Sequence, residues 1–190
     1  MKSFLYVIAF FFSTSVFAHP GHADTFMSAV IHPFLGWDHL LTMLIVGVMA
    51  SLLPAKKGVV LPVLFVSFFS IFTLLASQFS LSDVQHEILE QCILAAMIIL
   101  PLVHFMIARL PSWTIFSVIG LMGSIHGLTH GLELNVYSNF SILGLVLSTA
   151  LIHAIGFLLG TYFKNNHDWI LKSLTIGTGL LGAIGLIQTF

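Results

Sequence analysis

Six apolar runs, each about 20–25 residues long, fill nearly all of the chain beyond residue 33. A helix of that length crosses the roughly 30 Å hydrocarbon core of a bilayer. In lipid every backbone N–H and C=O must find its partner inside the protein, which an uninterrupted run of this length achieves as an α-helix. The spans are read at residues 34–53, 59–79, 87–110, 114–132, 140–163 and 169–188. Short turn-like segments separate them: Pro54-Ala55-Lys56-Lys57-Gly58, Ser80-Leu81-Ser82-Asp83, Pro111-Ser112-Trp113, Asn135-Val136-Tyr137-Ser138-Asn139 and Lys164-Asn165-Asn166-His167-Asp168. None is long enough to hold a second domain. Hydrophobic residues make up 58% of the chain and charged residues 7%. Soluble domains carry about 25% charged residues, so a soluble fold is excluded. The expected class is all-α, a polytopic membrane protein of six transmembrane helices.

The first 18 residues read as a cleavable signal peptide. Lys2 gives a positive start, residues 4–12 an apolar stretch, and Val16-Phe17-Ala18 a small-residue cleavage site before His19. That stretch is shorter than the ~20 residues a span requires, which disfavours a retained anchor. Residues 19–190 then form one six-helix domain with its N-terminus outside. The first, third and fifth connections fall in the cytoplasm, and they or their flanks carry Lys56, Lys57, Arg109, Lys164 and Lys172. The connections on the other side have no Lys or Arg. This is the positive-inside pattern, so the expected topology is N-out and C-out in the bacterial inner membrane.

Charge and cysteine content narrow the chemistry. There is no basic patch for nucleic acid, and the formal charge is −1. Cys92 is the single cysteine, so neither an intramolecular disulfide nor a thiolate cage can form, and its apolar neighbours mark a small buried residue. What remains is histidine with carboxylate. A mid-helix acid costs roughly 2.5–3.5 kcal/mol on insertion scales, and ionisable groups within spans mark substrate or ion pathways.

Two runs concentrate these groups. In His32-Pro33-Phe34-Leu35-Gly36-Trp37-Asp38-His39, Pro33 suits a first helical turn and Gly36 a close helix approach. Asp38 can ligate a metal or orient a ligating ring; the alternative is a pair solvated at the membrane edge. In His126-Gly127-Leu128-Thr129-His130-Gly131-Leu132-Glu133, the two histidines at i, i+4 and Glu133 three further on share a helix face. That spacing lets two imidazoles grip one ion; the alternative is polar glue between helices. Gly123, Gly127 and Gly131 read as a packing stripe beside them. Gly177, Gly179, Gly182 and Gly185 read as another on the last span.

Glu87 and Glu90 open the third span, where structural and functional readings stand equal. His153 at the centre of the fifth span needs a partner and reads as a relay or inner ligand. His104 and His167 read as interfacial, His19 and His22 as a metal-capturing start or an inert tail, and Pro62 and Pro101 as kinks. A nitrogen and oxygen ligand set suits a borderline divalent transition metal.

These residues resemble the HupE/UreJ family of bacterial nickel permeases over nearly the whole length. The resemblance rests on the His32–His39 run, Glu87 opening the third span, the His126–Glu133 run, Tyr137, and Leu151-Ile152-His153-Ala154-Ile155-Gly156. It implies six helices and uptake of Ni²⁺, sometimes Co²⁺, for hydrogenase or urease maturation, with the metal as substrate and no prosthetic group. It places functional weight on His32, Asp38, His39, Glu87, His126, His130, Glu133 and His153. The expected partners are a divalent metal ion and the lipid bilayer; oligomeric state is not derivable. Nothing resembles a phosphate-binding loop, so a secondary permease or facilitator, not an enzyme, is the expectation. The rival is an intramembrane zinc hydrolase using the same residue types. A metal sensor without flux would lack an output domain.

Overall fold

The computed structural model describes residues 25–79, 83–133 and 139–189. The signal-peptide reading, His19, His22 and Tyr137 lie outside the described residues, as does the side chain of Glu133. Every regular element described is an α-helix: α1 (Phe26–Leu35), α2 (Trp37–Leu52), α3 (Ala55–Gly58), α4 (Val60–Ala76), α5 (Asp83–Met106), α6 (Ser112–Glu133), α7 (Asn139–Phe163) and α8 (Asp168–Gln188). Five helices are long and apolar enough to cross a membrane, and the bent pair α1–α2 makes a sixth span if taken together.

The last five spans match their sequence boundaries within a few residues; the first does not. The chain turns helical already at Phe26, where Thr25 Oγ1 accepts from the Ser28 N–H at 3.1 Å and Ser28 Oγ accepts from the Thr25 N–H at 3.0 Å. This reciprocal cap satisfies two donors that a helix start leaves open. Pro33 therefore sits near the end of α1 and not in a first turn. At Gly36 the backbone becomes extended and the axis bends by 82° into α2. Gly36 is thus the break itself, not a helix-packing contact. The short α3 stops one turn before Pro62 for a related reason: proline offers no N–H to the Gly58 carbonyl and clashes with it.

Three helix pairs make the bundle, and glycine decides how closely each packs. On α6, a Cβ at Gly123, Gly127 or Gly131 would run into the backbone oxygens of Phe65, Phe69 and Thr73 on α4, in that order. The two helices therefore run the same way and touch backbone to backbone. Helices α2 and α7 do likewise: Gly47 faces the His153 carbonyl, Gly156 faces Leu44 and Gly160 faces Ser51. Helices α5 and α8 run in opposite directions, with Gly179 against Pro101, Gly182 against Met97 and Gly185 against Leu94; Gly177 meets nothing. His104 is buried in this last interface, its Nδ1 3.3 Å from Thr175 Oγ1, and so is not the interfacial residue expected.

The apolar surface is turned outward as well as inward. Val63, Ile71, Leu102, Leu147, Leu158, Leu180 and Ile187 are all exposed. Helices that are hydrophobic all round belong in a membrane. At the end that carries the lysines, Trp113, Tyr162 and Trp169 project into the surroundings, as aromatic residues do at a lipid–water boundary. At this lysine end Lys164 Nζ donates to the Ser51 carbonyl at 2.9 Å, capping the last turn of α2 with a cation.

A chain of buried imidazoles

Four histidines, His32, His39, His126 and His130, gather at the opposite end of the bundle, and His153 lies further in. The bend at Gly36 lays α1 across the helix ends, bringing the His32 ring to 4.9 Å from that of His130, centroid to centroid. His39, two residues into α2, lies 4.5 Å from His130 and 5.3 Å from His126. His126 and His130 share one face of α6, and both are fully buried. The shared helical face is thus borne out for His126 and His130, while the side chain of Glu133 lies outside the described residues, and the glycine stripe beside them is borne out too.

Hydrogen bonds fix which ring nitrogen three of the imidazoles present. His126 Nδ1 lies 2.9 Å from the Met122 carbonyl and His153 Nδ1 2.7 Å from the Thr149 carbonyl. A carbonyl can only accept, so each Nδ1 carries the proton and a neutral ring holds its lone pair on Nε2. Both Nε2 atoms are buried with no hydrogen-bond partner among the described residues, and so are Thr42 Oγ1 and Thr149 Oγ1. An unsatisfied buried group costs about 1–3 kcal/mol, so each one that is kept calls for a functional reason. A transition-metal ion, or a water that one replaces, would satisfy either ring nitrogen.

His39 is set differently. Asp38 Oδ1 accepts from its Nδ1 at 2.8 Å and from its backbone N–H at 2.8 Å. A carboxylate that takes up the distal N–H of an imidazole fixes the tautomer and raises the basicity of the other nitrogen. The same carboxylate occupies the first turn of α2, where the helix dipole favours negative charge. Gly36 is tuned to this pair: a Cβ there would lie 3.0 Å from Asp38 Oδ1 and 3.2 Å from His39 Nδ1.

Comparison with known proteins settles the family. The model of the HupE / UreJ protein family matches residues 7–186. A curated relative, "Protein HupE" of Rhizobium leguminosarum bv. viciae, is 30% identical over 142 residues, 73% of this chain and 72% of its own. The chain belongs to the HupE/UreJ family. No solved structure matches it. With its apolar helices, this HupE/UreJ protein is a multi-pass membrane protein.

The fold of this HupE/UreJ protein unites some of the residues singled out in its sequence. His32, Asp38, His39, His126 and His130 form one cluster, and His153 connects to it through the ring of Phe65. Glu87 is exposed near the start of α5 and makes no hydrogen bond or ion pair among the described residues, while Glu90 is also exposed. Among the described residues, no three His, Cys, Asp or Glu side chains are arranged to close on one metal ion. The imidazoles follow one another as a string and do not form a cage. Sequence reading passed over Phe65, Phe69, Thr42 and Thr149, because aromatic and small polar residues in an apolar run read as core. One signal was present: Phe65, Phe69 and Thr73 repeat every four residues, as do Gly123, Gly127 and Gly131.

Proposed function

We propose that this protein is a secondary permease or facilitator carrying Ni²⁺, with Co²⁺ as the alternative substrate, from the periplasm into the cytoplasm for metalloenzyme maturation. The observation that carries this reading is the file of five imidazoles in a HupE/UreJ protein, running from half-buried His32 at the outer end through buried His130, His39 and His126 to buried His153 in the interior. Imidazole suits nickel and cobalt. A file of sites, each with few ligands, lets an ion enter and also leave, which a saturated cage would prevent. His32, His39, His126 and His130, with Asp38 as orienter and Glu133 as the carboxylate three residues beyond His130 in sequence, receive the ion. His153 passes it on, and Glu87 contributes charge at the entrance.

The lysine end is assigned to the cytoplasm by the positive-inside rule, which puts the histidine mouth on the periplasmic face. The protein acts as a carrier, not an enzyme, with no prosthetic group. A zinc hydrolase would need a carboxylate poised on a metal-bound water. Asp38, the carboxylate described at the cluster, has one oxygen held by two N–H groups of His39 and suits orientation better.

The test is accumulation of radioactive nickel by cells that lack their own high-affinity uptake, with and without this protein, against a panel of competing divalent ions. Accumulation that depends on the protein and is competed by cobalt supports the reading. Unchanged cellular nickel, together with a metal that stays bound through purification and lipid or peptide cleavage, would favour the hydrolase.

A further inference from the structure

The imidazole file is interrupted once. No ring contact joins His126 to His153 among the described residues; instead the Phe65 ring touches both, at 5.3 Å and 4.8 Å between centroids. Phe65 is fully buried. Its position follows from the sequence: Gly123 lets the α4 backbone come against α6, so a ring at Phe65 is carried into the space between α6 and α7. Phe69, one turn further along α4, packs on His130, in the histidine-end cluster. The two phenylalanines are thus equally buried but unequally placed.

A phenyl ring offers no lone pair to a divalent ion. The two nitrogens that could exchange one, His126 Nε2 and His153 Nε2, both lack a hydrogen-bond partner among the described residues. Phe65 is the described ring that contacts both imidazoles. We propose that Phe65 is the internal barrier of the metal path, dividing an outer compartment around His39, His126 and His130 from an inner one built on His153. Crossing requires the ring to leave this position. The proposal rests on the transport reading for its purpose, but the barrier can be tested without transport.

Cys92 is the only cysteine, so Cys92→Ser gives a background in which a single introduced thiol reports its own accessibility. His153→Cys in that background is treated with a membrane-impermeant cationic thiol reagent, applied to sealed vesicles from the face that labels a His32→Cys control. With Phe65 intact, His153→Cys should resist labelling from that face. Adding Phe65→Leu should speed labelling by at least about tenfold, the change produced by lowering a barrier by about 1.4 kcal/mol. Phe69→Leu, which opens a similar volume elsewhere, should leave the rate unchanged, and Phe65→Tyr should keep the path closed. Phe65→Met serves as the unbranched replacement if Phe65→Leu does not fold. Labelling of His153→Cys as fast as His32→Cys with Phe65 intact overturns the proposal, as does equal acceleration by Phe65→Leu and Phe69→Leu. Because His153→Cys labelling needs no nickel flux, a closed barrier in a protein that moves no metal would refute the transport reading alone.

Discussion

At the scale of single residues, the site is built by fixing which nitrogen of His39, His126 and His153 is left open. Backbone carbonyls do this for His126 and His153, and a carboxylate does it for His39. Replacing Asp38 by Asn keeps the shape and removes the charge that orients His39. Loss of such an orienting partner typically costs 10–100-fold in metal affinity. Asp38→Asn should therefore raise the nickel concentration for half-maximal uptake by about 10–100-fold, and a value equal to that of the native protein would contradict the pairing. Gly36→Ala tests the same pair sterically. The backbone at Gly36 has φ −82°, which alanine adopts without strain, so any effect comes from its methyl group pressing on Asp38 and His39. Reduced uptake at normal membrane abundance is expected, and uptake at the native level would show that the pair tolerates the contact. The histidine spacing was legible in the sequence because i, i+4 fixes a face. The tautomers were not, since they depend on backbone carbonyls one turn away, and Phe65 was indistinguishable from core.

The helices show where local sequence suffices and where it fails. The last five spans were legible because apolar length alone specifies a membrane helix. The first was misplaced because its start is a Thr25–Ser28 cap without an acidic residue, and its break at Gly36 lies inside an apolar run. The glycine stripe of α6 was read correctly as packing, but its partner was not legible, because nothing local says that α4 and α6 run together. Gly127→Ala would drive a methyl group into the Phe69 backbone. Overpacking of this kind costs about 1–3 kcal/mol. Gly177→Ala meets open space and replaces glycine in a helix interior, where alanine is favoured by about 0.8–1 kcal/mol. In detergent, Gly127→Ala should lower the unfolding temperature and Gly177→Ala should hold or raise it. The reverse order would contradict the close approach of α4 and α6.

For the molecule as a whole, the apolar exterior, the aromatic residues at the lysine end and the histidines at the other end give a polarity that has to match the membrane. Reporter fusions at the Lys56-Lys57 connection and after Lys164 should be active as cytoplasmic reporters, and a fusion at Phe190 as a periplasmic one. Alkaline phosphatase activity from the Lys56-Lys57 fusion would put the histidine mouth on the wrong side for uptake. The central claim is that this chain moves the metal by itself along its imidazoles. The most direct measurement is entry of radioactive nickel into sealed vesicles containing only the purified protein, compared with vesicles containing His126→Ala or His130→Ala protein at the same density. The native protein should load the vesicles well above empty controls, and each substitution should abolish loading while the protein remains folded and inserted. Loading by either variant at the native rate would contradict the account.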